Sequence, residues 1–169
     1  MFFMPKKNIK ENNAEIVVEL DEKDIQILKL LQHNAKITVK EIADSIHLST
    51  TPVHERIKRL EQSGIIKQYV TILNNKLIQK GLIVICYVSL KQHNKEAGKK
   101  FIDSILKMDE IIECYNISGE FDFMLKVVSK DMDDYYNFHV NKLSQAENIG
   151  NVQSVFVMGI VKEKQITVD

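Results

Sequence analysis

Apolar residues recur along this chain in two successive registers, helical first and extended afterwards. Leu20-Asp21-Glu22-Lys23-Asp24-Ile25 opens a helix, because Asp21 can accept a free backbone N–H as N-cap and Leu20 can staple against Ile25. Ile25, Leu28 and Leu31 follow at helical spacing, widened by Ile27 and Leu30, and the pattern ends near Asn34. Thr38-Val39-Lys40-Glu41 then forms a capping box, flanked by Ile37 and Ile42, which starts a short helix with Ile42, Ala43 and Ile46 inward. Only His47 and Leu48 separate it from a third start at Ser49-Thr50-Thr51-Pro52. Ser49 is the expected cap, and Pro52 falls in the first turn, where its missing donor costs nothing. This helix stops at Gly64, which suits the left-handed position after a helix end.

Beyond Gly64 the period becomes extended. Residues 65–72 read as a strand, broken by Asn74-Asn75. Past Gly81 the pattern predicts strands over 82–90, 111–117, 121–128 and 152–161, with helices over 95–108 and 131–143. That order is βαββαβ, the ferredoxin-like arrangement. The expected chain is therefore α+β, with a flexible, mildly basic tail over 1–19 and a winged helix-turn-helix over 20–73. A linker over 74–80 joins it to a ferredoxin-like domain over 81–169. The first and second strands of that fold are not neighbours, so Cys86 and Cys114 should not pair.

Composition narrows the function. The 169 residues carry 23 Lys and Arg against 23 Asp and Glu, so any nucleic-acid binding must come from a local surface rather than a net positive field. Both cysteines sit in apolar runs without zinc-site spacing, and two buried free thiols in a reducing cytoplasm are expected. No segment has the apolar length of a membrane span. Met1-Phe2-Phe3-Met4-Pro5-Lys6-Lys7 places its charge after its apolar residues, unlike a signal peptide, and a cytoplasmic location is expected. There is no phosphate loop, no nucleophile elbow and no paired histidines at zinc spacing. An enzyme is therefore not expected, nor is any metal or cofactor.

The phase of the third helix carries the chemistry. Val53, Ile57 and Leu60 share one arc at about 100° per residue. The opposite arc holds Thr51, Glu55, Lys58 and Gln62, flanked by His54 and Arg59. Such a face suits a DNA recognition helix, with residues near its N-terminus reaching base edges and flanking cations holding phosphates. Thr50, Thr51 and His54 are the candidates for base edges, and Ser49 at the helix N-terminus for a phosphate. Lys58 and Arg59 would supply charge to the backbone, and Lys67 could reach a further phosphate from a short wing. Thr38 and Pro52 complete the candidate surface. Arg56 borders the core arc, where an internal ion pair, with Glu41 as the candidate partner, stands beside a DNA contact. The competing reading is a solvated face without a partner.

Several stretches resemble the Lrp/AsnC (feast/famine) regulators. They are residues 20–28, the Ile42-Ala43 helix, the run from Leu48 to Ile66, Ser118-Gly119-Glu120-Phe121-Asp122 and the closing Val155-Phe156-Val157-Met158. The resemblance implies a transcription regulator with double-stranded DNA as partner and a ferredoxin-like domain that binds a small amino-acid effector. It also implies homodimers that assemble further, often to octamers, with effectors in clefts between the domains of neighbouring dimers. On matching positions the effector contacts would be Ser118, Gly119, Glu120, Phe121, Asp122, Met132, Ser154, Val155 and Phe156. Glu120 and Asp122 could receive an ammonium group, backbone N–H groups near Gly119 a carboxylate, and Ser154 would add a hydroxyl. Two features depart from the common pattern: Asn148-Ile149-Gly150-Asn151 lacks a proline, and Ser154 stands where threonine is frequent. The alternatives are an architectural DNA-binding protein without effector, or a ferredoxin-like small-molecule binder.

Overall fold

The computed structural model describes residues 19–164 and 166–168, so the expected tail lies, except for Glu19, outside the described residues. The chain forms two compact units. One ends at Thr71 and takes in the terminal Ile166–Val168, and the other spans Ile72–Lys164.

The first unit is built from α1 (Glu22–His33), α2 (Val39–Ile46) and α3 (Thr50–Gln62). The expected N-cap at Asp21 and capping box of Thr38 with Glu41 both form, and Asp24 completes a second box with Asp21 on α1. His47 takes a left-handed conformation at φ 56°, which compresses the connection between α2 and α3. Ile27, Leu28, Ile42, Ala43, Ile46, Val53 and Leu60 are buried together. The inward stripe of α1 is rotated by about one residue from the expected one. Its centre runs through Asp24, Ile27 and Leu28, leaving Ile25 half-buried. The chain's end returns to this unit, where Val168 packs on the core and Gln32 Nε2 donates to the Ile166 carbonyl at 2.7 Å. The strand expected over 65–72 is not formed. Ile65 and Ile66 fold onto the helical core, while Lys67 to Thr71 are exposed and bonded to no strand among the described residues. An extended run becomes a strand only when a ladder partner takes its N–H and C=O groups.

The second unit contains β1 (Leu82–Leu90), α4 (Lys95–Ile105), β2 (Ile111–Asn116), β3 (Phe123–Ser129), α5 (Met132–Asn141) and β4 (Ile149–Phe156). The sheet order is β2-β3-β1-β4 with every pairing antiparallel. Alternate residues of β1 and β3, namely Val84, Cys86, Val88, Phe123, Leu125 and Val127, form a core with Phe101, Ile105, Tyr135 and Phe138 of the helices. The opposite sheet face carries Ile85, Tyr87, Met124, Lys126 and Val155. β4 starts earlier than expected, because Ile149 pairs with Leu90 inside a stretch whose asparagines and glycine suggest a loop. Cys86 is buried, but Cys114 lies exposed on the edge strand β2, which corrects the expectation of two buried thiols. Both thiols are free, and burial pushes the Cys86 thiol up. Among the described residues no helix is long and apolar enough to cross a membrane.

Candidate nucleic-acid interface and effector segments

α3 turns Val53 and Leu60 into the core, with Ile57 packed beside them, and leaves Thr50, Thr51, His54, Glu55, Lys58, Arg59 and Gln62 exposed. Pro52 is half-buried in the first turn. Ser49 holds the extended N-cap conformation, yet its side chain makes no cap hydrogen bond, contrary to the expected cap. Its hydroxyl therefore sits unused at the helix N-terminus, where backbone N–H groups and the helix dipole favour an anion.

The remaining candidates are more committed. Thr38 Oγ1 donates to Glu41 Oε2 at 2.8 Å while accepting from the Glu41 N–H, so its hydroxyl is held by the α2 cap. The backbone N–H of Thr38 keeps the Glu41 carboxyl below its ordinary value. Arg56 does form an internal ion pair, but not with Glu41. Its Nη1 donates to Asp21 Oδ2 at 2.6 Å and to Asp24 Oδ1 at 2.8 Å. Arg59, expected to be a free backbone cation, donates through Nη2 to Asp24 Oδ2. The physical reason is Asp24 itself: a carboxylate with no exposed surface requires cationic partners, and α3 supplies both. Lys58 and Lys67 make no ion pair among the described residues. Asp24 was not singled out in the sequence, although its spacing from Ile27 and Leu28 marks it as inward-facing.

In the second unit the Ser118–Asp122 turn joins β2 to β3. Gly119 sits at φ 131°, a backbone conformation that favours glycine. Ser118, Gly119 and Glu120 are exposed, and Phe121 stacks on Tyr87 with ring centroids 5.4 Å apart. Asp122 is tied to its own sheet: Oδ2 accepts from the Leu90 N–H at 2.7 Å and lies 3.3 Å from His93 Nε2. Its carboxylate closes the end of β1, a role the sequence did not single out, and His93 was missed with it. Ser154 is likewise committed inward, its Oγ lying 2.5 Å from the Tyr135 hydroxyl, which also lies 3.3 Å from Cys86 Sγ. Val155 and Phe156 are partly exposed, and Met132 at the start of α5 is more so.

These segments do not converge within one chain. Phe156 pairs with Val84 and Ser129, just before Met132, pairs with Leu82, whereas Asp122 grips Leu90 at the other end of β1. From Val84 to Leu90 a strand runs roughly 20 Å at about 3.3 Å per residue.

Comparison with known proteins supplies the context for both surfaces. Residues 20–67 match the model of a winged helix-turn-helix DNA-binding domain, and residues 83–167 that of the Lrp/AsnC ligand binding domain. The chain belongs to the Lrp/AsnC family of transcriptional regulators. It is 35% identical to the transcriptional regulator AzlB of Bacillus subtilis over 86% of this chain and 92% of that protein. It is 34% identical to the leucine-responsive regulatory protein of Haemophilus influenzae over 96% of this chain and 98% of that protein. Among solved structures it resembles a Neisseria meningitidis transcriptional regulator in complex with L-Met, with a TM-score of 0.82 and 32% identity over 86% of this chain and 94% of the other. For this Lrp/AsnC regulator the two matched regions coincide with α1–α3 and with the four-stranded sheet and its helices. The wing expected over 65–72 forms no strand among the described residues.

Proposed function

We propose that this regulator inserts α3 into the major groove of duplex DNA as a homo-oligomer and adjusts that binding to a small amino-acid effector. The outward set of Thr50, Thr51 and His54 reads base edges, while Ser49, Lys58, Arg59 and Lys67 hold phosphates. Arg56 belongs with the internal ion pairs. Working on DNA, the protein acts in the cytoplasm.

The effector reading rests on one observation: the two candidate segments lie at opposite ends of β1. A single ligand of amino-acid size cannot touch both in one chain, but it can where the turn of one copy meets the β4 end of another. The sheet face of Ile85, Tyr87, Met124 and Val155, which also holds the Lys126–Glu113 ion pair and which no helix of its own unit covers, suits pairing of two copies. The effector class follows from the relatives, one named for leucine response and one solved with L-Met.

The test is the mass of the full chain in solution with and without each amino acid, together with calorimetric titration and Asp122→Ala as control. Binding that shifts assembly or DNA affinity, by a coupling of about 1–3 kcal/mol, supports the sensor. Binding of none of them leaves an architectural DNA-binding role. A duplex footprint unchanged by Thr51→Ala, His54→Ala and Lys58→Ala removes α3 from the groove.

A further inference from the structure

We infer that Asp24 is a positioning residue for DNA binding: it holds the Arg59 guanidinium by one edge so that the other edge is set toward a phosphate. The inference rests on the DNA-binding reading of α3.

Three observations carry it. The Asp24 side chain has no exposed surface, whereas that of Arg59 is 50% exposed. Only Nη2 of Arg59 is engaged, leaving the remaining N–H donors of its five without a partner among the described residues. Arg59 also borders the outward arc of Thr51, Glu55 and Lys58, so its free edge lies beside the face that meets DNA. Asp24 in turn is fixed. It closes the α1 capping box, accepts from the Asp21 N–H at 3.1 Å and takes Nη1 of Arg56 at 2.8 Å. Arg56, only 27% exposed and shared between two carboxylates, serves as the inner brace.

The charge balance explains why such a device matters here. Residues 19–71 contain eight Lys or Arg and eight Asp or Glu, so this unit brings no net positive field to a polyanion. What it has instead is placement. A free arginine loses rotamer freedom when it grips a phosphate, and an arginine already held loses less. The fork geometry is essential, because a guanidinium can serve a carboxylate and a phosphate at once, while an ammonium is a single point charge.

Simple Coulomb attraction and positioning predict opposite signs for one substitution. Asp24→Asn removes a negative charge near the DNA-facing flank, so attraction alone tightens binding. Positioning instead weakens it, by roughly three- to tenfold per subunit. It also flattens the dependence of log K on log salt by about 0.9 for each phosphate that is no longer neutralised. Arg59→Lys keeps the charge yet loses the fork, and is expected to weaken binding and flatten the slope like Arg59→Ala. The full-length chain is titrated, over a range of salt, against a duplex selected from a random pool and against a non-cognate duplex of equal length. Tighter or unchanged binding by a folded Asp24→Asn chain, or a wild-type slope in Arg59→Lys, overturns the inference. Arg59→Lys decides alone if Asp24→Asn does not fold. Wild-type chain that binds neither duplex overturns the DNA-binding reading itself, a different outcome from wild type that binds and variants that match it.

Discussion

Removing the Tyr135 hydroxyl tests whether the buried polar chain under the sheet acts as one unit. Tyr135 is 5% exposed, and burial pushes its phenol well above the ordinary range. Its hydroxyl lies 2.5 Å from Ser154 Oγ and 3.3 Å from Cys86 Sγ, linking α5 to β4 and β1. Tyr135→Phe keeps the ring contacts, including the edge-on approach to Phe156 at 5.4 Å, so the hydroxyl alone is removed. The net loss of one hydrogen bond is about 0.5–1.5 kcal/mol, and stranding the half-buried Ser154 hydroxyl raises the cost to about 1–2 kcal/mol. Ser154→Ala strands a buried phenol with only a weak thiol partner and should cost about 1–3 kcal/mol. In the double variant neither group is left behind, so the total should be near 1 kcal/mol rather than the sum. The assay is urea denaturation of all four chains. At an m near 1.5 kcal/mol/M the single changes lower the midpoint by about 1 M. Two costs that add within about 0.5 kcal/mol in the double variant would refute a shared hydrogen bond.

Three further outcomes follow from the geometry. Leu60→Ala opens a cavity in the fully buried core of the first unit and should cost about 2–5 kcal/mol, read as a lowered denaturation midpoint with DNA binding lost in parallel. Gly119→Ala has open space for its methyl, so its penalty of about 1–3 kcal/mol, read as a lowered urea midpoint, comes from the positive-φ backbone alone. Acid should destabilise the first unit. The Asp24 backbone N–H and Arg56 hold the Asp21 carboxyl below 3.8, and the Thr38 backbone N–H holds Glu41 below 4.5. Their folded values being depressed, the stability they contribute is present above the ordinary values and is lost as pH falls through the folded ones. Thermal midpoints taken from pH 7 down to pH 3 should stay level and then fall, with a shallower fall in Glu41→Gln; an unchanged slope in that variant contradicts the assignment.

The helices of the first unit were legible because each start is written into a few adjacent residues. An N-cap or a capping box needs only a hydroxyl or carboxylate, with or without an acid three positions later, and the cap at Asp21 and the box at Thr38 both formed. The sheet was legible in its order but less in its bounds, since a strand ends where its partner's hydrogen bonds end. β4 illustrates this, for pairing with Leu90 recruits Ile149 against the local signal of Asn148 and Gly150. The strand expected at 65–72 shows the converse, with strong extended propensity and no ladder to join within its unit.

The candidate site divides along the same line. Which residues face outward on α3 follows from helical phase, a property of one element, and Thr50, Thr51, His54 and Lys58 are where the phase puts them. Which of them remain uncommitted depends on what another element places opposite. Asp24, two helices away in sequence, takes Arg59 and shares Arg56, and Leu90 takes Asp122. In each case a buried or half-buried charge meets the nearest group able to satisfy it, since leaving it unpaired costs more than any exposed interaction returns. A polar residue near a core arc is therefore better assigned first to a partner inside the fold. Only the donors left over, such as the free edge of Arg59 and the hydroxyl of Ser49, are then available to a ligand.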